Sequence, residues 1–306
     1  MRAVRLSWGL ALALLPALAS AAEPRLVLIG GGPRPSAALA RFADWSGGPR
    51  ARIVVVTWAA RDPGEAFTAF RRDLAPFTSA VLQSAPVAPM SAGDKARLRE
   101  LLAWATGVYF TGGDQDRIMD ELRDRSLLEQ LRARYQEGLV FAGTSAGTAV
   151  MSSIAITGDG DRTVMDGDAV EVRPGIGLLP GVVLDQHFIR RQRQNRLFGI
   201  VLKHPALLGV GVDEGTAMLV RDNRYAEVVG ASRVMLVEAS GDGGEMRLQL
   251  LNPGDTFDLH ARKRGRVARV AAREPGAPCE ALAGDETADS ASAVPCHPAA
   301  GRASRH

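Results

Sequence analysis

Leu139-Val-Phe-Ala-Gly-Thr-Ser-Ala-Gly-Thr-Ala-Val-Met151 joins a buried apolar run to a glycine-framed serine and then to a run of small residues. This is the order strand, G-x-S-x-G turn, helix, the pattern of a nucleophile elbow. The glycines at 143 and 147 remove side chains that would clash at so sharp a turn, which lifts the Ser145 hydroxyl clear of the sheet edge. The backbone N–H of Ala146 then becomes a natural oxyanion donor. A capping serine in a glycine-rich turn has the same local signature, so the elbow needs partners elsewhere in the chain.

Outward from the elbow, apolar runs alternate with helical patterns. Arg25–Gly30, Ile53–Thr57, Ala80–Gln83, Val108–Thr111 and Leu139–Ala142 read as strands. Their unbroken apolar character points to a parallel sheet covered on both faces. Helices are expected over Gly64–Leu74, Ser91–Trp104 and Asp116–Gln136, the second opened by a capping box of Ser91 and Asp94. This βαβα order predicts a doubly wound α/β fold. Later, Thr216–Val220 and Tyr225–Val229 flank Asp222-Asn223 as a hairpin, and Val234–Val237 and Arg247–Leu251 add short strands. An antiparallel extension of the same sheet is expected there.

The 306 residues are 46% hydrophobic and 23% charged, enough to bury a sizeable core. With 37 basic against 34 acidic side chains the net charge is only +3, which argues against nucleic acid as a partner. Residues 1–22 read as a secretory leader, with Arg2 and Arg5, an apolar run to Leu18, then Ala19-Ser20-Ala21-Ala22. The run is too short to span a bilayer. An exported chain, periplasmic or extracellular and free of the membrane after leader removal, is expected. A catalytic domain is expected over 23–270. The tail over 271–306 is rich in Ala, Pro, Gly and Ser and holds both cysteines, Cys279 and Cys296. The body thus has no thiol nucleophile, which disfavours glutamine amidotransferase chemistry.

A serine needs a base and an orienting acid. His187 ends the apolar run Val182-Val-Leu-Asp-Gln-His187, at the strand edge where α/β sheets place their sites. The acid is Asp213 or Glu214, adjacent at the end of another apolar run, and alternation along a strand does not choose between them.

Phe110-Thr-Gly-Gly-Asp-Gln115, Gly143-Thr-Ser-Ala-Gly147, Asp185-Gln-His-Phe188 and Val212-Asp-Glu-Gly-Thr-Ala217 occur in this order. Together they resemble the peptidase S51 family, specifically its cyanophycinase branch. The aspartyl dipeptidase branch usually carries Trp where this chain has Thr144. The resemblance implies a flavodoxin-like sheet related to class I glutamine amidotransferases. It also implies a triad of Ser145, His187 and Glu214, oxyanion donors at Gly113 and Ala146, and substrate contacts from Gln115, Asp185, Gln186, Arg191, Arg193 and Arg196. The substrate it implies is cyanophycin, with other Asp-containing or β-linked peptides as the alternative. A homodimer is implied, and neither metal nor organic cofactor is called for.

Overall fold

The computed structural model describes residues 23–157, 163–241 and 244–265. The expected leader, the tail from 271 and both cysteines lie outside them.

The first half builds the parallel layers as expected. In chain order it runs β1 (Arg25–Ile29), α1 (Ser36–Trp45), β2 (Arg52–Val56), α2 (Pro63–Leu74), β3 (Val81–Ser84), α3 (Ala92–Trp104) and β4 (Gly107–Phe110). Next come α4 (Gln115–Glu121), α5 (Arg125–Gln136), β5 (Val140–Thr144) and the single turn α6 (Ala146–Ala149). Strands β1, β5, β4, β2 and β3 lie side by side and parallel. Alternation explains why their sequences look uniformly apolar. Leu26 and Leu28 face the side covered by α3 and α5, while Val27 and Ile29 face Phe42 of α1 and Phe70 of α2.

Ser91 caps α3 as expected, its side chain accepting from Asp94 N while Asp94 accepts in return. The charged stretch expected as one helix over 116–136 is two. The Asp124 side chain accepts from the amides of Ser126 and Leu127 and so starts α5 afresh. This local alternative to the helix ladder breaks the run, and helical periodicity alone did not reveal it.

The second half is β6 (Ile154–Ile156), β7 (Val172–Pro174), β8 (Val182–Gln186), α7 (Gln194–Lys203), β9 (Leu208–Val212) and β10 (Thr216–Arg221). It ends with β11 (Tyr225–Gly230), β12 (Val234–Ala239), β13 (Met246–Leu251), β14 (Thr256–Asp258) and β15 (Lys263–Gly265). The β10–β11 hairpin turns through Asp222 and Asn223, both at positive φ, as a tight turn requires. Strands β10, β11, β14 and β15 extend the first sheet antiparallel from β1. Strands β12 and β13 do not join that extension. They pair with β9, in a second sheet ordered β13-β12-β9-β8-β6-β7. The apolar residues of β8 and β9 that look inward, such as Leu184 and Val210, share a core with the first sheet, and α7 covers their outer face through Leu197, Ile200 and Val201.

This split positions the site. β5 with its serine belongs to one sheet, while the histidine and the acids follow β8 and β9 of the other. Among the described residues no helix is long and apolar enough to cross a membrane.

Candidate active site

Ser145 sits between β5 and α6 with φ 53° and ψ −117°, a conformation that L residues seldom hold. Close packing explains how the chain tolerates it. A Cβ on Gly143 would lie 2.3 Å from the Gly147 carbonyl oxygen, and one on Gly147 would lie 2.3 Å from that of Phe110. Only two bare α-carbons let the strand turn so tightly into its helix. The Ser145 amide donates to the Ile29 carbonyl at 3.0 Å, tying the corner to β1.

The fold brings the serine, the histidine and one of the two acids together. Ser145 Oγ lies 2.8 Å from His187 Nε2, and His187 Nδ1 lies 2.5 Å from Glu214 Oε1. A carboxylate only accepts, so the neutral ring carries its proton on Nδ1 and leaves Nε2 free to accept from the serine hydroxyl. Of the two adjacent acids it is Glu214 whose carboxylate meets the ring. Asp213 faces the other way, where Oδ1 accepts from the amides of Ile189 (3.1 Å) and Arg190 (2.9 Å) and Oδ2 accepts from Ser232 Oγ. It clamps the turn that follows His187.

That turn is itself unusual, because His187 has φ 50°. Its amide donates to the Gly30 carbonyl at 2.7 Å, and its ring lies against Gly31, where an added Cβ would stand 2.3 Å from Cε1. The Gly30–Gly32 run follows β1 directly. In the fold it is the wall that holds the imidazole.

Burial is the main influence on His187 and lowers its pKa below the ordinary 6.5; the Arg191 and Arg193 cations push the same way, against the pull of Glu214. The ring therefore stays neutral, as a base must be, to a lower pH than an ordinary histidine. In a pH profile of kcat/KM, activity is expected to rise through a limb centred below 6.5. Arg191→Ala should move that limb upward, because removing a cation eases protonation of the ring.

The Gly112–Gly113 turn after β4 borders the serine, where a Cβ on Gly112 would come 3.2 Å from Ser145 Cβ. Among the described residues the amides of Gly113 and Ala146 donate to no protein acceptor. Gln115 begins α4, buried, with Nε2 donating to the Ile156 carbonyl.

The remaining expected substrate contacts need correction. Arg196 and Asp185 are each 1% exposed and pair side-on, Nε donating to Oδ2 at 2.7 Å and Nη2 to Oδ1. Arg193 is also buried and donates to both the carbonyl and the Oε1 of Gln186, which lies 3.3 Å from Ser145 Oγ. Only Arg191 of the six is exposed. The reason is local. The basic run starts in a turn, and α7 begins at Gln194 with positions 196, 197, 200 and 201 on its inward face. A desolvated arginine must be paired, and Asp185 provides the pair. Arg196→Ala strands the Asp185 carboxylate in the core and is expected to lower unfolding stability by about 3–5 kcal/mol, read from urea titration.

Among the described residues no group of three or more His, Cys, Asp or Glu is placed to hold a metal. The arrangement can activate a hydroxyl by proton transfer to a neutral imidazole and place donors beside it.

The family model described as Peptidase family S51 matches residues 26–228. A protein named Cyanophycinase from Trichormus variabilis is 30% identical over 240 residues, covering 73% of this chain and 80% of its own. Another of that name from Geminocystis herdmanii is 33% identical over 204 residues, 65% of this chain and 74% of its own. The crystal structure of a peptidase from an acI-B1 Actinobacterium superposes with a TM-score of 0.59 at 19% identity, covering 77% of this chain and 96% of its own, a likeness of fold.

Proposed function

Because the chain belongs to peptidase family S51, we propose that it is an exported serine exopeptidase that cleaves cyanophycin and releases β-Asp-Arg dipeptides. Cyanophycin is a poly-aspartate backbone with an arginine amide-linked to each side-chain carboxyl. The observation that carries the reading is the continuous line from Ser145 Oγ through the His187 ring to Glu214, in a chain whose relatives bear the name Cyanophycinase.

In the proposed mechanism His187 Nε2 takes the hydroxyl proton as Ser145 Oγ attacks the backbone carbonyl. Glu214 holds the ring in the required tautomer and stabilises the imidazolium that forms. The Gly113 and Ala146 amides receive the negative oxygen of the tetrahedral intermediate. His187 then protonates the departing amine. Water, deprotonated by the same ring, hydrolyses the acyl-enzyme and restores the serine. Arg193 fixes Gln186 beside the hydroxyl, and its donation to Oε1 makes that oxygen a weaker rival of His187 Nε2 for the serine proton. Arg191, exposed beside the site, is placed to pair with the carboxylate of an arginine arm.

The test is incubation with purified cyanophycin beside a panel of Asp-X and isoaspartyl dipeptides. Release of β-Asp-Arg from polymer supports the reading, whereas cleavage of dipeptides alone would replace it with a peptidase of Asp-containing or β-linked peptides. Export rests on the sequence of residues 1–22, and N-terminal sequencing of the secreted protein tests it. The homodimer rests on family resemblance, and light scattering tests it.

A further inference from the structure

We propose that a cavity at the far end of α4 is a second contact site for the polymer, one that grips carboxylates of arginine arms while another part of the chain is cut. The proposal rests on the cyanophycin reading above.

The cavity measures about 480 Å³ and shares no lining residue with the Ser145 site. Arg123, Arg125, Arg132 and Arg173 line it against a single acid, Glu129, over an apolar floor that includes Met119 and Leu122. Two of these cations are already matched. Arg173 pairs with Asp116 and Asp120, and Arg123 with Asp120. Arg125 and Arg132 have no ion-pair partner among the described residues, although both are on α5 and exposed. Arg132 is nevertheless fixed in direction, since its Nε donates to the Ile176 carbonyl at 2.6 Å.

Arg125 opens α5 directly after the capping Asp124 and lines the cavity from the start of that helix.

The ligand class follows from the chemistry of the lining. An arginine linked through its α-amino group to a side-chain carboxyl keeps a free carboxylate and a free guanidinium, joined by methylenes. Arg125 and Arg132 suit the carboxylates, Glu129 suits a guanidinium, and the apolar floor suits the methylenes. Reach is also consistent. α4 leads from the Gly112–Gly113 turn beside Ser145 to this cavity, and its seven residues rise about 10 Å. An extended backbone advances about 3.3–3.6 Å per residue, so three or four aspartate units cover that length.

The test compares half-saturating concentrations for polymer and for an oligomer of two units, which is too short to occupy both places. Arg125→Glu is exposed and lies outside the catalytic machinery. It is expected to raise the value for polymer about 3- to 10-fold, to flatten its dependence on salt, and to leave kcat and the oligomer unchanged. Arg132→Gln, which loses a structural hydrogen bond too, should act in the same direction, with circular dichroism confirming its fold. Equal effects on polymer and oligomer, or none on either, would overturn the second site while the wild-type protein still degrades polymer. Wild-type protein that degrades no polymer overturns the substrate reading, and the second site with it.

Discussion

Ser145→Ala is expected to lower kcat/KM for the cleaved peptide by about 10⁴- to 10⁶-fold, the loss that follows when a serine nucleophile is removed from a working relay. The fold should persist. The side chain contributes only the Oγ contacts to His187 and Gln186, and the strained corner is held by backbone and by close-packed glycines. Alanine meets the same φ restriction as serine, so the thermal midpoint should move little. Steady-state kinetics beside a circular-dichroism melt checks both halves. A folded Ser145→Ala protein within tenfold of wild-type activity would sink the assignment of the nucleophile.

Gly31→Ala is expected to be nearly as damaging to turnover without touching any reacting atom. Its Cβ would stand 2.3 Å from His187 Cε1, 2.5 Å from Nε2 and 2.8 Å from Nδ1. The backbone cannot retreat easily, because the Gly31 carbonyl accepts from Gly215 N and the neighbouring Gly30 carbonyl from His187 N. The imidazole must therefore swing out of line with Ser145 and Glu214. A displacement of about 1 Å in such a relay costs on the order of 10²-fold in rate, and loss of the aligned tautomer takes it towards 10⁴. A φ of +106° adds strain of about 1–3 kcal/mol for any L side chain. Gly48→Ala separates the two effects. It also has positive φ, yet nothing lies within 4 Å of the added carbon, so it should lose some stability and keep full activity. If Gly31→Ala retains wild-type kcat, Gly31 does not wall the histidine.

The sequence made the parallel layers legible because each strand is an apolar run with glycine or polar punctuation, and because both faces of the sheet are covered. It did not reveal that β12 and β13 leave the first sheet for the second. Partner choice between antiparallel strands depends on packing between distant segments, and Val234 to Val237 looks the same in either sheet. Ser145, His187 and the adjacent acids Asp213 and Glu214 are legible in short motifs. The roles of their neighbours are not. Arg193 and Arg196 are written in the sequence as charges, and charge in an arginine-rich chain reads as surface. Whether such a side chain is buried depends on Asp185, eleven positions away and on another element. Asp213 shows the same limit: being next to Glu214 in sequence made it a rival, whereas the alternation of side chains gave it a different task.

The relay also spans a seam. Ser145 belongs to the sheet built around β1 and β5, while His187 and Glu214 follow β8 and β9 of the other. Two stretches of backbone bridge them at the site: the loop after β1, which bonds to His187 and to Gly215, and the segment 213–215, which carries Glu214 from β9 into β10. Neither sheet alone holds a hydrolase. A nascent or partly opened chain with only one sheet in place is chemically inert, so hydrolytic competence arrives late, as a property of completed assembly. The first slippage between the layers would silence the molecule before it unfolds.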